Sequence, residues 1–197
     1  MKIFIVGKQC SGKTDVLDEC EALGLRVGRE FCNIKSKEIH IDPKYELYSI
    51  DDIDKIFENN AYISITGIDE SGVLDGYMGY RGLSLYTFDN SDIMLLHPQQ
   101  VCALNKKSIT DQIVFIWLDN NRDNRIHRYA EKKHTYNFIE IEDIESQFDA
   151  DFIKTIYNFP NSKLLYFNNE DPDRVAAIAY AIIVHPDLLD IFVNKFN

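Results

Sequence analysis

An apolar run, Lys2 to Val6 (KIFIV), leads straight into Gly7-Lys8-Gln9-Cys10-Ser11-Gly12-Lys13-Thr14. Beyond it, apolar side chains recur at Val16, Leu17, Cys20 and Leu23 before Gly24. The first run reads as a buried parallel strand. The second has a helical period and a glycine C-cap. Between them the pattern GxxxxGK[ST] is matched at every fixed position, in the strand-to-helix context that the motif requires. Its glycines let successive N–H groups turn inward, and the following helix offers its positive end to an anion. The expected phosphate-binding residues are Gly7, Cys10, Ser11, Gly12, Lys13 and Thr14. Lys13 reaches the β- and γ-phosphates, and the Thr14 hydroxyl ligates Mg²⁺. The expected cofactors are therefore ATP and Mg²⁺.

The rest of the chain alternates in the same manner. Asp92 to Leu96, Gln112 to Leu118 and Lys163 to Phe167 read as further buried strands. Arg122 to Lys133, Asp143 to Tyr157, Pro172 to Val184 and a tail from His185 read as helices, with Pro172 in a first turn. The fold class expected is α/β: a P-loop NTPase fold with a parallel sheet flanked by helices. Residues 33–86 differ, being rich in Gly and Tyr. They include a capped amphipathic helix from Ser49 and a strand over Ala61 to Thr66. They read as a small insertion on a single domain whose core is 1–32 and 87–197, with a helical lid at about 122–147.

At 197 residues and 45% hydrophobic content the chain suits one domain with its own core. Its net charge of -11 repels phosphate backbones at long range and argues against nucleic acid as a partner. Cys10, Cys20, Cys32 and Cys102 show no metal spacing and read as free thiols of a reducing compartment. The opening run is too short for a signal peptide, and no stretch approaches the length of a membrane span. A cytoplasmic protein, monomer or homodimer, is expected. There is no NKxD element of a GTPase.

From Tyr45 onward the order of residues resembles the guanylate kinase family of nucleoside monophosphate kinases. Tyr45 to Ser49 (YELYS) is similar to the family's Y-x-F-x-S. Gly76 to Gly79 (GYMG) is similar to the G-x-Y-Y-G that closes its substrate-binding part. Ile93 to Gln100 lines up with V-L-L-D-I-D-x-Q-G, and Leu165 to Asn168 resembles the final V-V-N strand. The resemblance implies a nucleoside monophosphate (NMP)-binding insertion, an arginine-bearing lid, and transfer of the ATP γ-phosphoryl group to a nucleoside monophosphate. It places Lys35 and Lys37 near the family's paired phosphate-gripping arginines. It aligns Ser64 with the guanine-reading glutamate, with Thr66 and Asp69 as other candidates, and His97 with the carboxylate near the metal. These departures point away from GMP toward another base, as in a phage-type deoxynucleoside monophosphate kinase.

Further candidates have two readings each. Tyr45, Tyr77 and Tyr80 either contact the acceptor or simply pack. Arg81 either reaches phosphate or lies on the surface. Arg125 and Arg128 share a helix face. They either neutralise the transferring phosphoryl group, Arg128 foremost, or belong to a solvated helix. His97 and Gln100 either contact substrate or satisfy their neighbours. The alternatives kept open are a P-loop kinase for another acceptor, such as a modified base in DNA or a small metabolite, and a catalytically lost binding module.

Overall fold

The computed structural model describes residues 1–34, 45–68, 79–131, 138–168 and 171–196. In chain order the elements are β1 (Lys2–Val6), α1 (Lys13–Ala22), β2 (Val27–Gly28), β3 (Glu30–Ile34), β4 (Tyr45–Leu47), α2 (Ile50–Glu58), β5 (Tyr62–Ile68), β6 (Gly79–Ser84) and α3 (Leu85–Asn90). They continue with β7 (Ile93–Leu96), α4 (Pro98–Cys102), β8 (Ile113–Asp119), α5 (Arg122–Glu131), α6 (Phe138–Ser146), α7 (Asp149–Tyr157), β9 (Ser162–Asn168), α8 (Pro172–Val184) and α9 (Leu189–Phe196).

Two sheets result. The first is parallel, in the order β2-β7-β1-β8-β9, with β1 between β7 and β8. Its strands alternate between two apolar layers, as the pleat requires. Ile3, Ile5, Val114 and Ile116 face α1 and α8 through Val16, Leu17, Val175 and Ala179. Phe4, Val6 and Phe115 face the other way, toward Phe152, Ile156 and Phe159. Each buried side chain of this size contributes roughly 1.5–3 kcal/mol. The fold is thus α/β with a parallel sheet flanked by helices.

The second sheet is mixed, in the order β4-β3-β6-β5. Its Ile63 and Leu83 enter the same apolar layer as Phe4 and Phe115, which ties the two sheets together. One face of this sheet packs on α2: Phe31, Ile53 and Ile56 cluster there, with Tyr48 stacked on Phe31. α2 starts where Ser49 and Asp52 form a capping box.

The helix expected over Asp143 to Tyr157 is two helices, α6 and α7. Phe152 and Ile156 of α7 are buried in the layer beneath the parallel sheet, whereas Glu145 of α6 is turned to the phosphate loop. No single straight helix satisfies both, and Asp149 and Asp151 in the first turn of α7 favour a new N-terminus there. Among the described residues no single helix is long and apolar enough to cross a membrane.

Candidate phosphotransfer site

The loop after β1 is shaped by close approaches. A Cβ on Gly7 would lie 2.6 Å from both the Leu118 carbonyl oxygen and Ser11 Oγ, so only glycine fits. Gly12 has φ of +96° and stands against the Arg128 guanidinium, 2.5 Å from Nη1 to such a Cβ. Asn120, just beyond β8, donates its amide to the Ser11 carbonyl at 2.8 Å and braces the loop from outside.

Lys13 opens α1 and is buried, only 6% exposed. Its ammonium donates to the Gly7 and Lys8 carbonyls at 2.7 and 2.8 Å. Burial pushes its pKa down to about 8. Arg81 adds to the fall, while Glu145 and Glu30 oppose it. Thr14 follows in the first turn of α1.

The second sheet turns a polar face toward this lysine. The strand register places Glu30, Cys32 and Arg81 on one side, opposite to Phe31, and sets Thr66 beside Arg81. Glu30 and Arg81 are both buried, with Arg81 Nε 3.7 Å from a Glu30 carboxylate oxygen. Neither Glu30 oxygen makes a well-formed hydrogen bond among the described residues. Burial raises the Glu30 pKa, against the pull of Arg81, the facing Gln100 amide and Lys13. His97 begins α4. Burial first, and then the charges of Arg81 and Lys13, hold its imidazole well below its usual range, so it is neutral at pH 7. Its Nδ1 lies 3.6 Å from Glu145.

The α5 arginines divide in role. Arg128 reaches the loop at Gly12 and lies 3.6 Å from Asp15. Arg125 is occupied: Nε donates to the Asn120 carbonyl at 3.1 Å, and both terminal nitrogens bond Glu142. Such a bidentate pair is a structural clamp. A cleft of about 240 Å³ lies alongside, lined by Gly7, Lys8, Trp117, Asn120, Arg125 and Phe152 among others.

The other expected site residues fall as follows. Ser64 is fully buried and donates to the Gln100 carbonyl at 2.7 Å, which ties β5 to α4 rather than offering a hydroxyl to a ligand. Thr66 Oγ1 reaches the Arg81 carbonyl at 3.4 Å. Gln100 is buried and accepts the His97 N–H at 2.8 Å. Tyr80 is on the α2 side, edge-on to Phe57 with ring centroids 5.6 Å apart, and so faces away from Lys13. Cys10 packs against Tyr129 and Phe138. Tyr45 lies on β4, paired with Glu30. Lys35, Lys37, Asp69 and Tyr77 lie outside the described residues.

No protein-family model and no curated protein matches the sequence. Solved structures do. Guanylate kinase from Anaplasma phagocytophilum superposes with a TM-score of 0.51 at 10% identity, over 94% of this chain and 85% of that one. The fold is that of a P-loop kinase. Shikimate kinase from Acinetobacter baumannii, in complex with shikimate, gives a TM-score of 0.45 at 15% identity, over 95% of this chain and 94% of that one. A sugar kinase from a Janibacter species gives 0.43 at 12%, over 95% and 96%.

Within this fold, sequence reasoning passed over Glu30 and Glu145. Glu30 adjoins the apolar pair Phe31 and Cys32, a charge at the mouth of a strand. Glu145 belongs to a helix with several carboxylates, the pattern of a solvated face. Only its docking on the loop singles it out. Among the described residues no group of three or more His, Cys, Asp and Glu side chains is placed to hold a metal ion.

Proposed function

We propose that this chain is an ATP-dependent phosphotransferase that moves the γ-phosphoryl group onto a nucleoside 5′-monophosphate, with a base other than guanine as its preferred acceptor. The observation that supports the reading is the nearness of two buried cations, Lys13 from the phosphate loop and Arg81 from the second sheet, close enough for Arg81 to help lower the Lys13 pKa. A phosphotransferase must hold two anions side by side, one at each end of an in-line displacement. Lys13 and Arg128 would grip the donor phosphates, and Arg81 the acceptor phosphate, with Lys35 and Lys37 as further candidates.

The residues present fit ATP and Mg²⁺. Ser11 Oγ and Arg128 Nη1 are buried without a hydrogen-bond partner among the described residues, next to a loop built to receive an anion. Thr14 would hold the metal, which takes oxygen ligands and draws the rest from phosphates and water. When bound, Mg²⁺ neutralises charge on the phosphate oxygens. His97, being neutral, adds no charge repulsion there. An acceptor phosphate oxygen forms the new P–O bond as the bond to ADP breaks, and no base is needed because the attacking oxygen is already anionic. In this reading residues 33–86 carry the acceptor within a single domain, and residues 122–147 cover the donor.

A second reading is favoured by Glu30. A buried carboxylate without a well-formed hydrogen bond, beside Lys13, suits a general base for a hydroxyl acceptor. One assay separates the two: transfer of label from γ-labelled ATP to a panel of nucleoside monophosphates and, in parallel, nucleosides and sugars. Labelled nucleoside diphosphate supports the first reading. Labelled phosphomonoester that disappears in Glu30→Gln supports the second.

A further inference from the structure

Glu145 of α6 is only 1% exposed. Both of its oxygens accept the Gln9 N–H, at 2.9 Å each. Gln9 is one of the variable positions of the phosphate loop, where backbone N–H groups turn toward bound phosphate oxygens. A carboxylate there does what a phosphate oxygen would do. Burial raises the Glu145 pKa, while Lys13 and the Gln9 N–H pull the other way. His97 Nδ1 stands 3.6 Å away and is neutral. Arg125 also favours the charge and Glu142 opposes it.

The same stretch of chain occupies the other cation of the loop. Lys8 Nζ donates to Asp149 at 2.8 Å and to Ser146 at 3.1 Å, and lies 3.5 Å from Glu142. The lysine required by the motif, Lys13, is turned onto the Gly7 and Lys8 carbonyls. The Gln9 N–H, Lys8 and Lys13 are therefore each occupied from within the chain. An incoming phosphate would meet a like charge in a desolvated place, where repulsion between anions is strong.

We infer that Glu145 is an internal competitor for the phosphate loop, a residue that sets nucleotide affinity and selects polyphosphates able to displace it over simple anions. The inference rests on the phosphate-loop reading above but not on the identity of the acceptor. A triphosphate chain brings enough contacts along the loop to replace the lost Gln9 bond. Short anions do not.

The test is isothermal titration calorimetry of the full chain with a non-hydrolysable Mg·ATP analogue and, separately, with pyrophosphate. The proteins are wild type, Glu145→Gln, which keeps the shape and removes the charge, and Glu145→Ala, which removes both. Thermal melting verifies that each is folded. Both variants are expected to bind the ATP analogue at least about tenfold more tightly, since a charge-assisted contact is removed from the competition. Pyrophosphate is expected to bind the variants and not the wild type. Equal or weaker binding of the analogue by both variants overturns the inference and leaves the phosphate-loop reading standing. No binding of the analogue by any of the three overturns both.

Discussion

Nη1 of Arg128 occupies the space that a side chain on Gly12 would need, 2.5 Å from the position of its Cβ. An arginine from α5 is thereby set on the phosphate loop at a residue whose φ of +96° already favours glycine. Gly12→Ala is expected to strain the backbone by about 1–3 kcal/mol and to push Arg128 off the loop. A lowered melting temperature together with a lowered kcat/KM would match this. A variant with full stability and full activity would not.

Arg128 and Arg125 share a helix and are expected to fail differently. In the proposed function, Arg128→Ala removes charge at the transferring group. It should lower kcat by about 10²–10³-fold, as loss of one transition-state donor does, with little change in stability. Arg125→Ala leaves the Asn120 carbonyl without this donor and Glu142 with only Lys8, 3.5 Å away. Breaking such a buried pair costs about 3–5 kcal/mol, read as a drop in the denaturant midpoint. Steady-state kinetics and urea unfolding on both variants separate the roles. The reverse pattern would contradict the geometry.

The buried Lys13 ammonium, with its pKa lowered to about 8, gives nucleotide binding a definite pH dependence. Bound phosphate favours the charged form and raises that value, so binding takes up a proton when the free protein is near its pKa. Affinity should fall as pH rises past about 8. Calorimetry in two buffers of different ionisation enthalpy should show proton uptake near pH 8 and little at pH 6.5. Its sign on stability is also fixed. The unfolded lysine holds its proton to higher pH, so this group by itself makes the fold more stable with rising pH between about 8 and its ordinary value of 10.5. Lys13→Ala should abolish both the proton uptake and the activity.

Tyr80 and Glu30 lie on opposite faces of the second sheet. Tyr80→Phe keeps the ring on Phe57 and should leave both KM for the acceptor and kcat unchanged. Glu30→Gln should alter acceptor kinetics, because the carboxylate lies among Lys13, Arg81 and Gln100. Equal effects of the two substitutions would mean that the face turned to Lys13 does not see the acceptor.

Much of this architecture is written locally. The apolar runs of β1, β7, β8 and β9 and the capping at Ser49 and Pro172 are each decided within a few residues. The phosphate loop needs only its own glycines and the strand and helix around it. What could not be read depends on pairing. Tyr80 and Arg81 are neighbours in sequence, and only the register of β6 against β3 and β5 sends one to Phe57 and the other to Glu30. Ser64 lines up with a base-reading position, but its hydroxyl is committed to the Gln100 carbonyl. Glu145 looks like one of several solvated acids until α6 is laid on Gln9. Burial of a charge is a property of the assembled fold, and no local pattern announces it.

In the proposed function, Lys13 and Arg81 hold the donor and acceptor phosphates while a phosphoryl group passes from ATP to a nucleoside monophosphate. The most direct measurement is ³¹P NMR of the protein with Mg·ATP and a set of ribo- and deoxynucleoside monophosphates, pyrimidines included. The account predicts equal growth of ADP and of one nucleoside diphosphate, absent in Lys13→Ala and in Arg81→Ala. Growth of ADP with inorganic phosphate alone, or no turnover of any monophosphate while ATP binds, would contradict it.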